Sequence, residues 1–120
     1  MSGIKHLADT NIIIGLLKGW QPAVKALEGI NITECGYSAV TRMELLSFHG
    51  ITTEEETAIH NLLERMAYLS ITPAVEDAAI NIRRQHRLKL PDAVIAATAK
   101  IHGLTLLTLD KALTAWSTVR

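Results

Sequence analysis

Apolar and polar positions cut this chain into short segments of two kinds, strand-like runs and helix-period stretches, in alternation. Ile4 to Ala8 is an apolar strand-like segment that ends at Asp9-Thr10-Asn11. Ile12 to Leu17 follows as a helical run closed by Lys18-Gly19, with Gly19 in the C′ position behind a last-turn lysine. Pro22 opens a short helix through Glu28, and Ile30 to Gly36 reads as a second strand. Ser38 caps a helix to Phe48, which His49-Gly50 ends. Thr52 or Thr53 caps the next, with Glu54, Glu55 and Glu56 at the positive end of its dipole and an apolar stripe of Ile59, Leu62, Leu63 and Met66. Tyr68 to Thr72 is a third strand, and Pro73 starts a helix to about His86. Pro91-Asp92 starts another, Ala93 to His102, stopped by Gly103. Leu104 to Leu109 is a fourth strand ending at Asp110; a short helix over Lys111–Ala115 and a brief last strand over Ser117–Val119 complete the reading.

Strands alternating with helices predict an α/β fold, with a short parallel sheet of four to five strands and helices on both faces. The strands are short and apolar, as burial on two sides requires. In open sheets of this kind, sites lie beyond the carboxyl ends of the strands. The residues just after each strand therefore carry the chemistry.

Composition narrows the class. With 120 residues, 48% of them apolar, the chain is expected to fold as one domain over 1–120. Twelve Lys+Arg balance twelve Asp+Glu, so bulk positive charge cannot hold a nucleic acid, and any such contact needs a local basic patch. The single cysteine, Cys35, excludes an intrachain disulfide and a thiolate zinc site. No apolar run is long enough to span a bilayer, and Met1-Ser-Gly-Ile-Lys-His shows no signal pattern; a cytoplasmic setting is expected.

The four aspartates are Asp9, Asp77, Asp92 and Asp110. Asp9 and Asp110 follow the first and fourth strands, and Asp92 opens the helix before that fourth strand. Each also has a simpler reading: Asp9 and Asp110 as helix caps, Asp92 as a first-turn carboxylate. Glu44 aligns with Val40 and Phe48 at i, i±4, so partial burial is expected, with Arg42 or Lys5 as an ion-pair partner or a shared metal ion as the alternative. An all-oxygen ligand set without His or Cys suits Mg²⁺ or Mn²⁺ rather than Zn²⁺, and such sets serve phosphoryl chemistry.

Four stretches carry a family resemblance: Leu7-Ala8-Asp9-Thr10-Asn11-Ile12, Ser38-Ala39-Val40-Thr41-Arg42-Met43-Glu44-Leu45-Leu46, Leu90-Pro91-Asp92-Ala93-Val94-Ile95-Ala96-Ala97-Thr98-Ala99 and Leu107-Thr108-Leu109-Asp110. In this order and spacing they resemble the four motifs of PIN domains, in particular the VapC-type toxins of bacterial type II toxin–antitoxin pairs. The resemblance implies a PIN-like fold and a Mg²⁺- or Mn²⁺-dependent endoribonuclease. By motif, Asp9, Glu44, Asp92 and Asp110 are its metal-binding catalytic acids, and Thr10, Asn11 and Thr108 its nearby polar positions. It further implies an RNA substrate, a cognate antitoxin and a homodimer; hydrolysis without a covalent nucleophile would leave a 5′ phosphate and a 3′ hydroxyl. One departure stands out. Where the family often has a second acid and an aromatic after the fourth motif, this chain has Leu113 and Thr114. A catalytically silent PIN-like binding module is therefore the alternative.

The basic run Arg83-Arg84-Gln85-His86-Arg87-Leu88-Lys89 leads into Asp92. Arg83, Arg84 and Arg87 are expected to form a phosphate-binding rim for RNA beside the metal site, a solvated helix end, or a place where acidic residues or the main chain of a partner protein dock. No histidine pair has a metal-ligand spacing, and His49 and His102 read as helix-end residues before glycines. A phosphoacceptor receiver domain is set aside because Leu69-Ser70-Ile71-Thr72-Pro73 carries no acid. An Asp-x-Asp phosphatase is set aside because Asn11 holds the second place.

Overall fold

The computed structural model describes residues 3–119; Met1 and Ser2, where the absence of a signal pattern was read, and Arg120 lie outside them. Four strands form one parallel sheet: β1 (His6–Ala8), β2 (Cys35–Ser38), β3 (Ala67–Leu69) and β4 (Thr105–Leu107), in the order β3-β2-β1-β4. The helices are α1 (Thr10–Lys18), α2 (Gln21–Ala26), α3 (Ala39–Leu46), α4 (Thr53–Leu63), α5 (Pro73–Gln85), α6 (Leu90–His102) and α7 (Lys111–Val119). The expected α/β layering is found, with four strands among the described residues.

Alternation along the strands feeds two cores. Leu7 faces a cluster built with Val75, Ala79 and Ile82 of α5 and the buried face of α6. Its neighbour Ala8 faces the other side, with Ile12 and Ile13 of α1, Leu45 of α3, and Ile59 and Leu63 of α4. Two-sided burial explains why the strands read as apolar runs. Helix ends follow local chemistry: Ser38, Thr52 and Thr72 cap α3, α4 and α5, and Gly19 and Gly103 close α1 and α6 at φ of 68° and 65°, a region open to glycine. No helix among the described residues is long and apolar enough to cross a membrane.

Two expectations are corrected. Ser117–Val119 is not a strand but the last turn of α7, because Leu113 and Trp116, three residues apart, share a buried helical face. The second strand is Cys35–Ser38 rather than Ile30–Gly36. Ile30 and Ile32 still pack on a core, but from a loop and a 3-10 turn over Ile32–Glu34 whose preceding Asn31 side chain accepts from the Thr33 amide.

Chain order sets the position of the site. From β1 the chain winds outward through β2 to β3, then crosses back to place β4 on the opposite side of β1. The direction reverses between β1 and β4, and a crevice at the carboxyl ends of these two strands is where such sheets bind ligands.

Candidate active site: an acidic crevice at the switch point

Asp9, the first residue after β1, is nearly fully buried, at 4% exposure. Its Oδ1 accepts from the Thr10 amide at 2.7 Å, and its Oδ2 from the Thr108 hydroxyl at 2.7 Å. Thr108 follows β4, and its oxygen also accepts the Asp110 amide at 3.0 Å, so one hydroxyl ties the ends of the neighbouring strands β1 and β4. The Asn11 side chain accepts the Leu109 amide at 3.3 Å and secures the same junction. Burial raises the Asp9 carboxyl above the ordinary aspartate value, the bonds from Thr108 and Thr10 oppose this, and the charges of Asp110 and Glu44 add to the rise.

Asp92 lies in the first turn of α6, which sinks into the core behind it from Ala93 through Ala99. Its carboxyl is raised as well: by burial first, then by Asp110, Asp9 and Glu44, with Lys89 opposing. Asp110 accepts the Leu113 amide at 3.0 Å and so caps α7. The capping readings of Asp9 and Asp110 are thus real, and they coexist with placement in the crevice.

Glu44 departs from expectation. It is exposed, and Phe48 is exposed at 54%. The buried face of α3 is Ala39, Thr41 and Leu45 instead; Val40 packs against a core, while Glu44 and Phe48 line the crevice. Neither expected cation pairs with Glu44: Lys5 bridges Glu34 at 3.2 Å, and Arg42 makes no ion pair among the described residues. The partner is the Thr10 hydroxyl, 2.6 Å from Glu44 Oε1.

Asp9, Glu44, Asp92 and Asp110 line one open cavity of about 500 Å³, together with Thr10, Asn11 and a wall of Ile14, Phe48 and His49. A more apolar hollow of about 340 Å³ adjoins it and shares that wall. Among the described residues, no three His, Cys, Asp or Glu side chains are already gathered at metal-ligating separation. The donor set still fits a hard cation. Mg²⁺ keeps several waters and needs one or two protein carboxylates rather than a preformed cage. The charges of Asp110 and Glu44 add to the rise of Asp9, and those of Asp110, Asp9 and Glu44 to the rise of Asp92, as expected for acids that share one crevice.

The basic run is not part of this cavity. Arg83 lines a separate hollow of about 380 Å³ with Ile71, Glu76, Ile80 and Leu90, and its Nε donates to the Leu88 carbonyl at 3.4 Å. Arg84 and Arg87 are exposed. Leu113, in place of a second acid, is wholly buried in the core behind the crevice. By sequence, Thr41 has no role at the site, His49 is marked only as a helix-end residue and Phe48 only as a helical neighbour of Glu44. The available signal was the position of Thr41 one turn before Glu44 on the same helix.

The family model for the PIN domain matches residues 7–116. Comparison with curated proteins returns no match. Among solved structures, a chain of a toxin-antitoxin complex from Klebsiella pneumoniae is 32% identical, with a TM-score of 0.80 over 90% of this chain and 89% of that one. FitAcB from Neisseria gonorrhoeae is 26% identical, with a TM-score of 0.68 over 95% and 94%. DNA-bound VapBC from Salmonella typhimurium, at 20% identity and a TM-score of 0.73 over 84% and 83%, shares the fold. The fold, the order of the four motifs and their convergence on one crevice agree with these matches: the chain belongs to the PIN domain family.

Proposed function

We propose that the protein is a Mg²⁺- or Mn²⁺-dependent endoribonuclease that acts in the cytoplasm as the VapC-type toxin of a toxin–antitoxin pair. The observation that carries this reading is the convergence of Asp9, Glu44, Asp92 and Asp110 on one open cavity at the switch point. Those four residues would hold the ion. When bound, a hard divalent cation activates water and neutralises charge on phosphate oxygens. Thr108 fixes the rotamer of Asp9, and Thr10 fixes that of Glu44. Water adds across the P–O3′ bond, leaving a 5′ phosphate and a 3′ hydroxyl. Arg83, Arg84 and Arg87 serve as a distal phosphate contact outside the crevice, and Thr10, Asn11 and Thr108 frame the reacting phosphate. An antitoxin and a second copy of the chain are the protein partners; the Klebsiella pneumoniae relative, itself a toxin-antitoxin complex, supports the first.

The test is cleavage of a single-stranded RNA with Mg²⁺ or with chelator. Wild type should cut only with the ion. Glu44→Gln should lose at least about 100-fold, the upper range for disturbing a metal site. Asp77→Asn, on the exposed side of α5, should cut normally. The substitution of Leu113 for the family acid keeps a second reading in view, a silent binding module. Failure of wild type to bind Mn²⁺ or to cut RNA would select it.

A further inference from the structure

The acidic crevice has a buried polar support behind Glu44. Thr41 and Ser38 are both wholly buried, and their side chains do not reach the cavity surface. The Ser38 hydroxyl donates to the Thr41 hydroxyl at 3.3 Å and accepts the Thr41 amide at 3.1 Å. The Thr41 and Thr10 hydroxyls are 3.0 Å apart, and Thr10 lies 2.6 Å from Glu44 Oε1. Each hydroxyl has a single hydrogen. A carboxylate only accepts, so the Thr10 hydrogen belongs to Glu44. Thr41 must then donate to Thr10, and Ser38 to Thr41. One direction satisfies every group, and the chain runs from the end of β2 to the exposed carboxylate.

We propose that Thr41 is a positioning residue for the metal-binding site: its hydroxyl locks Thr10, and Thr10 in turn holds Glu44 toward the crevice. The proposal rests on the nuclease reading above and extends it to a residue that touches neither ion nor substrate. Glu44 is the one acid of the four on an exposed stretch of helix, so its side chain has the most rotamer freedom to lose. Thr10 joins two of the acids, through its amide to Asp9 and its hydroxyl to Glu44. Groups that orient metal ligands change metal affinity or activity by about 10- to 100-fold when removed.

Thr41→Val keeps the shape and deletes the hydroxyl; Thr41→Ser keeps the hydroxyl and deletes the methyl. Calorimetric titration with Mn²⁺ should show affinity weakened about tenfold in Thr41→Val and restored in Thr41→Ser, with kcat for RNA cleavage following the same order. In a Glu44→Gln background, Thr41→Val should have no further effect on Mn²⁺ affinity, because the two act through one contact. Wild-type affinity in Thr41→Val, equal loss in the Val and Ser variants, or additive loss in the double variant would each overturn the proposal. Should Thr41→Val not fold, comparing Thr41→Ser with Thr41→Ala isolates the same hydroxyl. If wild type itself neither binds Mn²⁺ nor cuts RNA, the nuclease reading fails separately. A crystal structure of Thr41→Val then decides the relay: loss of the Thr10–Glu44 contact supports it, and retention overturns it.

Discussion

Asp9 is held almost out of solvent by two hydrogen bonds while Asp110 and Glu44 oppose its charge. A carboxyl raised in the folded chain and ordinary in the unfolded one binds more protons when folded. Stability therefore falls as pH climbs from the ordinary aspartate value through the raised one, and the loss persists at neutral pH. Asp92 contributes with the same sign. Asp92→Asn should thus raise the metal-free Tm at pH 7, and the gain should shrink as the pH falls through the raised value toward the ordinary aspartate one, where wild type takes up its proton. A Tm gain independent of pH would contradict this. The identities of the four acids were legible in the sequence because each sits in a short motif. The exposure of Glu44 was not. Its i, i±4 neighbours are apolar, but Phe48 lies beyond α3 and lines an open cavity rather than a core. Helical periodicity tells which residues share a face, and not whether that face is covered.

The helices place the acids by close packing. α6 is buried from Ala93 through Ala99, and four alanines in that stretch let it pass tightly over the sheet and aim Asp92 at the strand ends. α1 and α2 meet at Gly15, where an added Cβ would lie 2.4 Å from the Ala23 Cβ and 3.2 Å from Trp20 Cε3. Gly15→Ala gains about 1 kcal/mol of helix propensity but overpacks that contact by roughly 1–3 kcal/mol, so a net loss is expected, with Tm lower by several degrees. A thermal melt checks it; an unchanged or raised Tm would show that α2 moves aside freely. Helix starts were readable because Ser38 and Thr52 cap through local hydrogen bonds and Pro73 stands in the first turn of α5. Strand limits and the last turn of α7 were not. Ile30 and Leu109 serve a core without joining the ladder, and tertiary burial of Leu113 and Trp116 overrides the β-branched pair Thr118-Val119.

At the scale of the molecule, charge and topology separate two possible RNA contacts. The chain is neutral overall, the crevice is acidic, and the one dense basic run lies on another hollow. If Arg83, Arg84 and Arg87 hold phosphates, replacing all three by Gln should flatten the salt dependence of single-stranded RNA binding by roughly 2 in log–log slope and leave Mn²⁺ affinity unchanged. An unchanged slope would make the run a solvated helix end. Strand–helix alternation and the motifs put Asp9 and Asp110 at strand ends; the parallel order β3-β2-β1-β4, which makes those two ends neighbours at the switch point, is set by long-range pairing that the sequence pattern does not carry. What alternation could not give was the hydroxyl network of Thr10, Thr41 and Thr108, which joins residues far apart in sequence. The central claim is that Asp9 is a metal-binding acid as well as a helix cap. Asn caps about as well as Asp but lacks the charge a hard cation needs. The most direct measurement is Mg²⁺-dependent RNA cleavage by Asp9→Asn, with its Tm recorded alongside. The account predicts a folded protein, at least as stable as wild type without metal, whose cleavage rate falls at least about 100-fold. Cleavage at the wild-type rate by folded Asp9→Asn would contradict it and leave Asp9 as a cap alone.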